Sequence, residues 1–182
     1  MKKKLGLYVT LGAIALVAMA IIIMYLMPVS YLPSMSKPTN ITVYQTTSKY
    51  GTFSADTSAK TYNEILDAYN KSFQQNFLSA VFAGQTAATS ANGELKTTTT
   101  KPSYSTYIVL NFDAQKIVVN GHKQNVSVDQ VLLQVENTTT FGDVKVYFKQ
   151  AGTSGTTTYY YMTTLAKQAA LYEVITSLTI PE

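Results

Sequence analysis

The sequence has no cysteine, no tryptophan, one histidine and no arginine; all 14 of its basic residues are lysine. Without cysteine there is no disulfide framework, no thiolate metal site, no cysteine nucleophile and no lipidated N-terminal cysteine. One histidine leaves no room for a histidine-based catalytic or metal cluster. Without arginine the chain lacks the preferred bidentate reader of phosphate and guanine, so no nucleic-acid partner is expected. Charge is scarce as well, at 13% of residues. Disorder is not the consequence, because 46% of the 182 residues are hydrophobic and 14 are tyrosine. Exclusive use of lysine points to AT-rich coding and a bacterial source.

The net charge of +4 is unevenly placed. Lys2, Lys3 and Lys4 carry three of the positive charges, which leaves 11 lysines against 10 acids from residue 5 onward. The body is close to neutral, and the basic character belongs to a short tail, residues 1–4.

Leu5–Met27 is an uncharged run. As a helix it extends about 34 Å, enough for the roughly 30 Å of a bilayer's hydrocarbon. Tyr8 and Tyr25 lie near its ends, where amphipathic rings favour the interface. Lysines precede the run and none follows until Lys37. This asymmetry predicts a transmembrane signal anchor with a cytoplasmic N-terminus and everything beyond residue 28 outside the plasma membrane. A cleaved secretory signal is the competing reading. Its small-x-small site, Ala18-Met19-Ala20, would fall inside the apolar run rather than after it. Lys3-Lys4-Leu5-Gly6 before an apolar helix loosely resembles a prepilin peptidase site, which would imply a filament subunit. Thr10 and Leu11 stand where such pilins carry an acid.

Pro28, Pro33 and Pro38, with interspersed serines, predict an extended, semi-rigid stalk over 28–39. The domain is then 40–182. Ile41–Thr46 alternates and reads as a strand. Thr61-x-x-Glu64 resembles a capping box. Behind it Tyr62, Ile65, Leu66, Tyr69, Phe73, Phe77 and Val81 recur at helical spacing, which predicts a helix over 62–83 with Gly84 as its C′ residue. Residues 85–103 are of low complexity and read as a long mobile loop. Tyr104–Phe112, a turn at Asp113-Ala114, Gln115–Val119, an Asn120-Gly121 hairpin turn, Val126–Val135, Val144–Lys149 and Thr156–Met162 follow as strands. Thr163 or Thr164 would cap a last helix with Leu165, Ala169, Leu171, Tyr172, Ile175 and Leu178 on one face. The expected class is α+β: an N-terminal transmembrane helix, then a twisted antiparallel sheet of 5–6 strands with two helices on one face.

Catalytic signatures are sparse. His122 follows the Asn-Gly turn without a neighbouring acid or nucleophile. The acids are scattered and form no EF-hand loop. Neither a phosphate-binding glycine loop nor a nucleophile elbow occurs. No metal or cofactor is expected. Asn40, Asn125 and Asn137 open N-x-Ser/Thr sequons, which carry meaning only in a glycosylating host. Tyr159, Tyr160 and Tyr161 form the one candidate binding surface; on a strand Tyr159 and Tyr161 share a face that Tyr160 does not. The layout resembles small membrane-anchored extracytoplasmic proteins of low-GC bacteria. The resulting expectation is a non-enzymatic surface protein that binds a partner protein or an envelope polymer. An envelope hydrolase working through paired carboxylates is the alternative from another class.

Overall fold

The computed structural model describes residues 2–32, 35–46, 48–76, 80, 95–119, 122–152 and 157–178. It is α+β, with three helices among the described residues and a large antiparallel sheet. The elements are α1 (Lys2–Leu26), β1 (Pro28–Ser30), β2 (Asn40–Gln45), β3 (Ser48–Ser54), α2 (Ala59–Ser72), β4 (Gln74–Asn76), β5 (Lys96–Thr98), β6 (Thr106–Val119), β7 (His122–Gln134), β8 (Gly142–Gln150), β9 (Tyr159–Ala166) and α3 (Ala169–Thr176). Strands β3-β2-β6-β7-β8-β9-β5 make one seven-stranded sheet, and β1 pairs with β4 in a separate ribbon.

Alternation along each strand divides the sheet into two faces. Ile41, Val43, Ile108, Leu110, Val131, Leu133, Val146, Phe148 and Met162 point to the face covered by α2 and α3. Those helices bring Tyr62, Ile65, Tyr69 and Phe73, and Leu171 and Ile175, all at helical spacing. The opposite face carries a second cluster, built of Tyr107, Val109, Leu132 and Tyr159 with Tyr44, Tyr104 and Tyr147 packed against it.

On α1 the side chains described begin at Thr10. From Leu11 to Met27 the large apolar ones are exposed, by 39% at Met24 to 69% at Leu16 and Leu26. Among the described residues no helix is long and apolar enough to cross a membrane.

The sheet has seven strands instead of five or six, because two segments outside the expected strands are strands. Residues 48–54 form β3 at one edge, where Gly51 admits the Phe53 ring; a Cβ there would meet that ring at 3.0 Å. Lys96–Thr98, expected within a loop over 85–103, pairs with β9 at the other edge. Residues 85–94 lie outside the described residues, as do Phe77, Val81 and Gly84. Asp113-Ala114 is no turn: β6 runs on through a register shift between Asn111 and Gln115. Val119 pairs with His122; the expected turn residues between them, Asn120 and Gly121, lie outside the described residues. Thr163 and Thr164 belong to β9 and cap nothing; Gln168 stands at the start of α3.

Helix α2 begins at Ala59, ahead of the expected capping box, and stops at Ser72. The apolar period runs on, but neighbours take the backbone groups that another helical turn would need. The Ser72 carbonyl accepts from the Lys167 N–H at 2.8 Å, and the Phe73 carbonyl accepts from Tyr31 at 2.9 Å. Residues 74–76 then pair with β1. A helix end leaves carbonyls unsatisfied, and here tertiary partners satisfy them at the point where the helix stops.

The same contacts seat the segment expected to stand off as a stalk. Tyr31 and Pro38 are buried. Thr164 donates to the Tyr31 carbonyl at 2.6 Å, Tyr62 to the Pro38 carbonyl at 2.5 Å, and Ser36 to Gln115 at 2.9 Å. Lys37 lies 5.2 Å from the centre of the Tyr62 ring. Through Tyr31, Ser36, Lys37 and Pro38 the segment is seated on the domain.

Candidate binding face

The face away from the helices is organised in rows that cross the sheet. One row passes over all seven strands: Thr52, Thr42, Val109, Leu132, Tyr147, Tyr161 and Lys96. A second runs Asn40, Asn111, Gln130, Lys149, Tyr159 and Thr98. A third begins Lys49, Tyr44, Tyr107 and Gln134. In the second row the amides join: Asn111 donates to Asn40 at 2.7 Å, and Gln130 donates to Asn111 at 3.0 Å. In the first, Thr42 and Thr52 share a hydrogen bond of 3.1 Å.

Above the rows the tyrosines form a continuous network. Tyr44 stacks on Tyr107 at 4.4 Å with the rings nearly parallel. Tyr104 meets Tyr107 edge-on at 6.5 Å and Tyr147 at 6.3 Å. Tyr147 continues to Tyr161 at 5.4 Å. The Lys145 ammonium sits over Tyr161, 5.6 Å from the ring centre, an arrangement that favours the cation through the ring's quadrupole. Lys149 is instead held by Asp129 at 3.5 Å.

The network exists because the chain crosses this face. β5 and β6 are four strand positions apart in the sheet, which is about 19 Å at the usual strand spacing. The link from Thr98 to Thr106 reaches at most about 28 Å, so most of its length goes into crossing the sheet. It lays Tyr104 on the sheet and buries Pro102. Two clefts remain beside it. One, of about 530 Å³, lies between residues 97–104 and Lys145, Tyr147 and Tyr161. The other, of about 350 Å³, holds Glu136, Asp143 and Gln168 against Tyr104, Lys145 and Tyr147. Tyr104, Tyr147 and Lys145 border both.

Burial raises the pKa of the Tyr104 hydroxyl, and a hydrogen bond with Tyr147 and the charge of Glu136 raise it further. Burial also raises those of Tyr107 and Tyr159. All three stay neutral donors at physiological pH. The clefts thus offer ring faces, neutral hydroxyls, one cation over an aromatic ring, and two carboxylates in one lobe.

The three tyrosines singled out from sequence separate. Tyr161 is half-buried and borders a cleft. Tyr159 is on the same face but only 6% exposed, so it supports the network from below. Tyr160 faces the helices, packs on the main core and donates to Gln150 at 3.3 Å. The sequence reading missed Tyr44, Tyr104, Tyr107 and Tyr147. Each stands one residue from an inward apolar position or just before a strand, and that alternation was the available signal. The side chain of His122 lies outside the described residues. Among the described residues no group of three acids or histidines comes together to hold a metal ion. The chain matches no protein-family model, no curated protein and no solved structure.

Proposed function

We propose that this is a single-pass plasma-membrane protein whose domain lies outside the cell and binds an envelope polymer in the tyrosine clefts. The membrane part rests on the uncharged Leu5–Met27 run, the lysines confined to its N-terminal side, and the exposure of its large apolar side chains from Leu11 onward. The binding part rests on one observation above all: Tyr104, Tyr147 and Tyr161 border neighbouring clefts that share Tyr104, Lys145 and Tyr147, with Lys101 beside them. Ring faces stack on the apolar faces of sugar rings, while hydroxyls and ammonium groups take their polar edges. The crossing link makes the surface grooved, which suits a narrow polymer better than the broad surface of a protein partner.

Sedimentation with purified cell-wall sacculi tests the binding. The wild type should cosediment, and Tyr147→Ala with Tyr161→Ala should reduce this at least tenfold while the domain stays folded. Equal cosedimentation of the double variant would refute the reading. Protease added to wall-stripped intact cells should digest the domain; full protection would refute the topology.

A hydrolase is the second reading, favoured by Glu136 and Asp143 lining one lobe together. It requires that the protein release soluble fragments from sacculi and that Glu136→Gln or Asp143→Asn stop the release without loss of binding.

A further inference from the structure

A third cavity, of about 550 Å³, lies on the helix side of the sheet, between α2 and residues 30–38. Its floor is core: Leu110, Phe112 and Phe148 from the sheet, and Leu66 and Tyr69 from α2. Leu32 and Met35 close it from outside. Its polar lining is Ser30, Ser36, Lys37 and Asn70, with no acid among the described residues. The volume falls in the range of small-ligand sites, and so does the pattern of apolar walls with a few polar groups.

Tyr69 supplies a second, independent observation. It is only 6% exposed, and its ring packs edge-on against Phe73 at 5.3 Å. Its hydroxyl makes no hydrogen bond among the described residues, and burial alone raises its pKa. Among the described residues the fully buried polar side-chain atoms without a partner are the Tyr50 hydroxyl and the Gln115 amide nitrogen, so the Tyr69 hydroxyl keeps some accessible surface. Tyr69 borders the cavity, so an acceptor placed there would supply the missing partner.

We propose that this cavity binds a single acyl chain carrying an anionic head, with the chain against Leu66, Leu110 and Phe148 and the head at Tyr69 and Lys37. The floor of Leu66, Leu110, Phe112 and Phe148 suits a hydrocarbon chain. Among the described lining residues the only charged group is the Lys37 ammonium, which selects an anion. The location fits as well, and here the proposal rests on the membrane reading above. The cavity wall begins at Ser30, four residues after α1 ends at Leu26. That is at most about 14 Å of chain, so with α1 in a bilayer the cavity lies within reach of the lipid headgroups.

The test uses the full chain in phosphatidylcholine vesicles. Flotation of protein with the vesicles reports the membrane reading by itself. Palmitic acid with a diazirine near the chain end is then added, photolysed, and its adducts mapped by mass spectrometry. We expect adducts on peptides containing Leu66, Leu110 or Phe148, competed by unlabelled palmitate and not by palmityl alcohol. Tyr69→Phe, which keeps the ring, should lower labelling roughly tenfold, the worth of one hydrogen bond to a charged group. Leu66→Trp, which fills the cavity, should abolish it; Tyr69→Phe decides alone if that variant does not fold. A parallel arm carries the diazirine in the acyl chain of lysophosphatidylglycerol within the vesicles. Labelling in that arm assigns a membrane lipid, and labelling by palmitate alone assigns the free acid. Adducts confined to α1, or unchanged by Tyr69→Phe, overturn the proposal whether or not the protein floats. Equal competition by the alcohol overturns the anionic head.

Discussion

Phe73→Ala separates a core aromatic stripe on α2 from an exposed binding groove. Phe73 is fully buried, at the residue where α2 ends. Its ring meets Tyr69 at 5.3 Å and an interplanar angle of 61°, an edge-to-face pair. Truncation removes the transfer energy of the ring and leaves a cavity in a close-packed interior, together about 3–5 kcal/mol. Within that sum the aromatic pair accounts for about 0.5–1.5 kcal/mol. A domain has about 5–15 kcal/mol in all, so the loss is a large fraction. At this chain length it should lower the melting temperature by roughly 10–15 °C. Near-ultraviolet circular dichroism follows it directly, because the tyrosines of both faces supply the signal. Phe73→Leu, which keeps most of the volume, should lose about 1–2 kcal/mol. Lys71→Ala, on the exposed side of α2, should stay within about 0.5 kcal/mol. A Phe73→Ala melt within about 2 °C of the wild type would refute the packing described and make this face of α2 a binding surface.

Three further outcomes follow from the same contacts. A fragment of residues 28–182 should melt cooperatively and well above one of residues 40–182, which lacks buried Tyr31 and the Pro38 carbonyl that Tyr62 bonds; equal melting temperatures would mean that the segment is not seated on the domain. Gln168→Leu keeps the volume of a side chain that is 1% exposed but removes its bonds to the Gln134 carbonyl at 2.8 Å and the Glu136 N–H at 3.3 Å, so chemical denaturation should show a loss of about 2–4 kcal/mol; an unchanged midpoint would refute the role of that bridge. Burial raises the hydroxyl pKa values of Tyr31, Tyr62, Tyr69, Tyr104, Tyr107 and Tyr159 above the ordinary 10.0; the unfolded chain releases these protons first, so stability is full below about pH 10 and falls as the pH rises further. Tyrosinate absorbance should therefore rise for these groups only as the fold is lost, and titration of all tyrosines near pH 10 in an intact fold would contradict their burial.

The sequence made class and strand positions readable where hydrophobic alternation was strong. Val144–Lys149 falls inside β8, and the strand expected over Ile41–Thr46 is β2 except for Thr46, which turns the chain. The Asn-Gly pair lies between the residues that close the β6–β7 hairpin. It failed where tertiary partners decide. The apolar period of α2 gives no sign that Tyr31 and Lys167 will take the backbone groups at its end. β3 and β5 are edge strands of low hydrophobicity, Ser-Lys-Tyr-Gly-Thr-Phe-Ser and Lys-Thr-Thr, and owe their conformation to the strands they extend. Prolines at 28, 33 and 38 announce extended backbone without saying whether it is seated or free.

The candidate site was readable only as far as the side of the sheet. Period-two alternation puts Tyr44, Tyr107, Tyr147, Tyr159 and Tyr161 away from the helices once the inward residues of each strand are known. Which tyrosines become neighbours depends on register in the β6–β7 and β7–β8 pairings. The shifts between Lys116 and Val118 and between Asn111 and Gln115 offset each other, so β7 meets Tyr107 in the register that the Val119–His122 pair begins, and the shift between Val128 and Gln130 sets β8 against β7. A slip of one residue at either would turn a strand's tyrosines toward the helices. Tyr104 joins the network for a different reason: it precedes β6 and reaches the sheet because β5 is at the far edge, so its link must cross the face. Both determinants are long-range pairings. Three adjacent tyrosines in the sequence therefore supplied one residue at a cleft, one support beneath it and one core residue, while the other cleft-forming tyrosines, Tyr104 and Tyr147, came from the link before β6 and from β8.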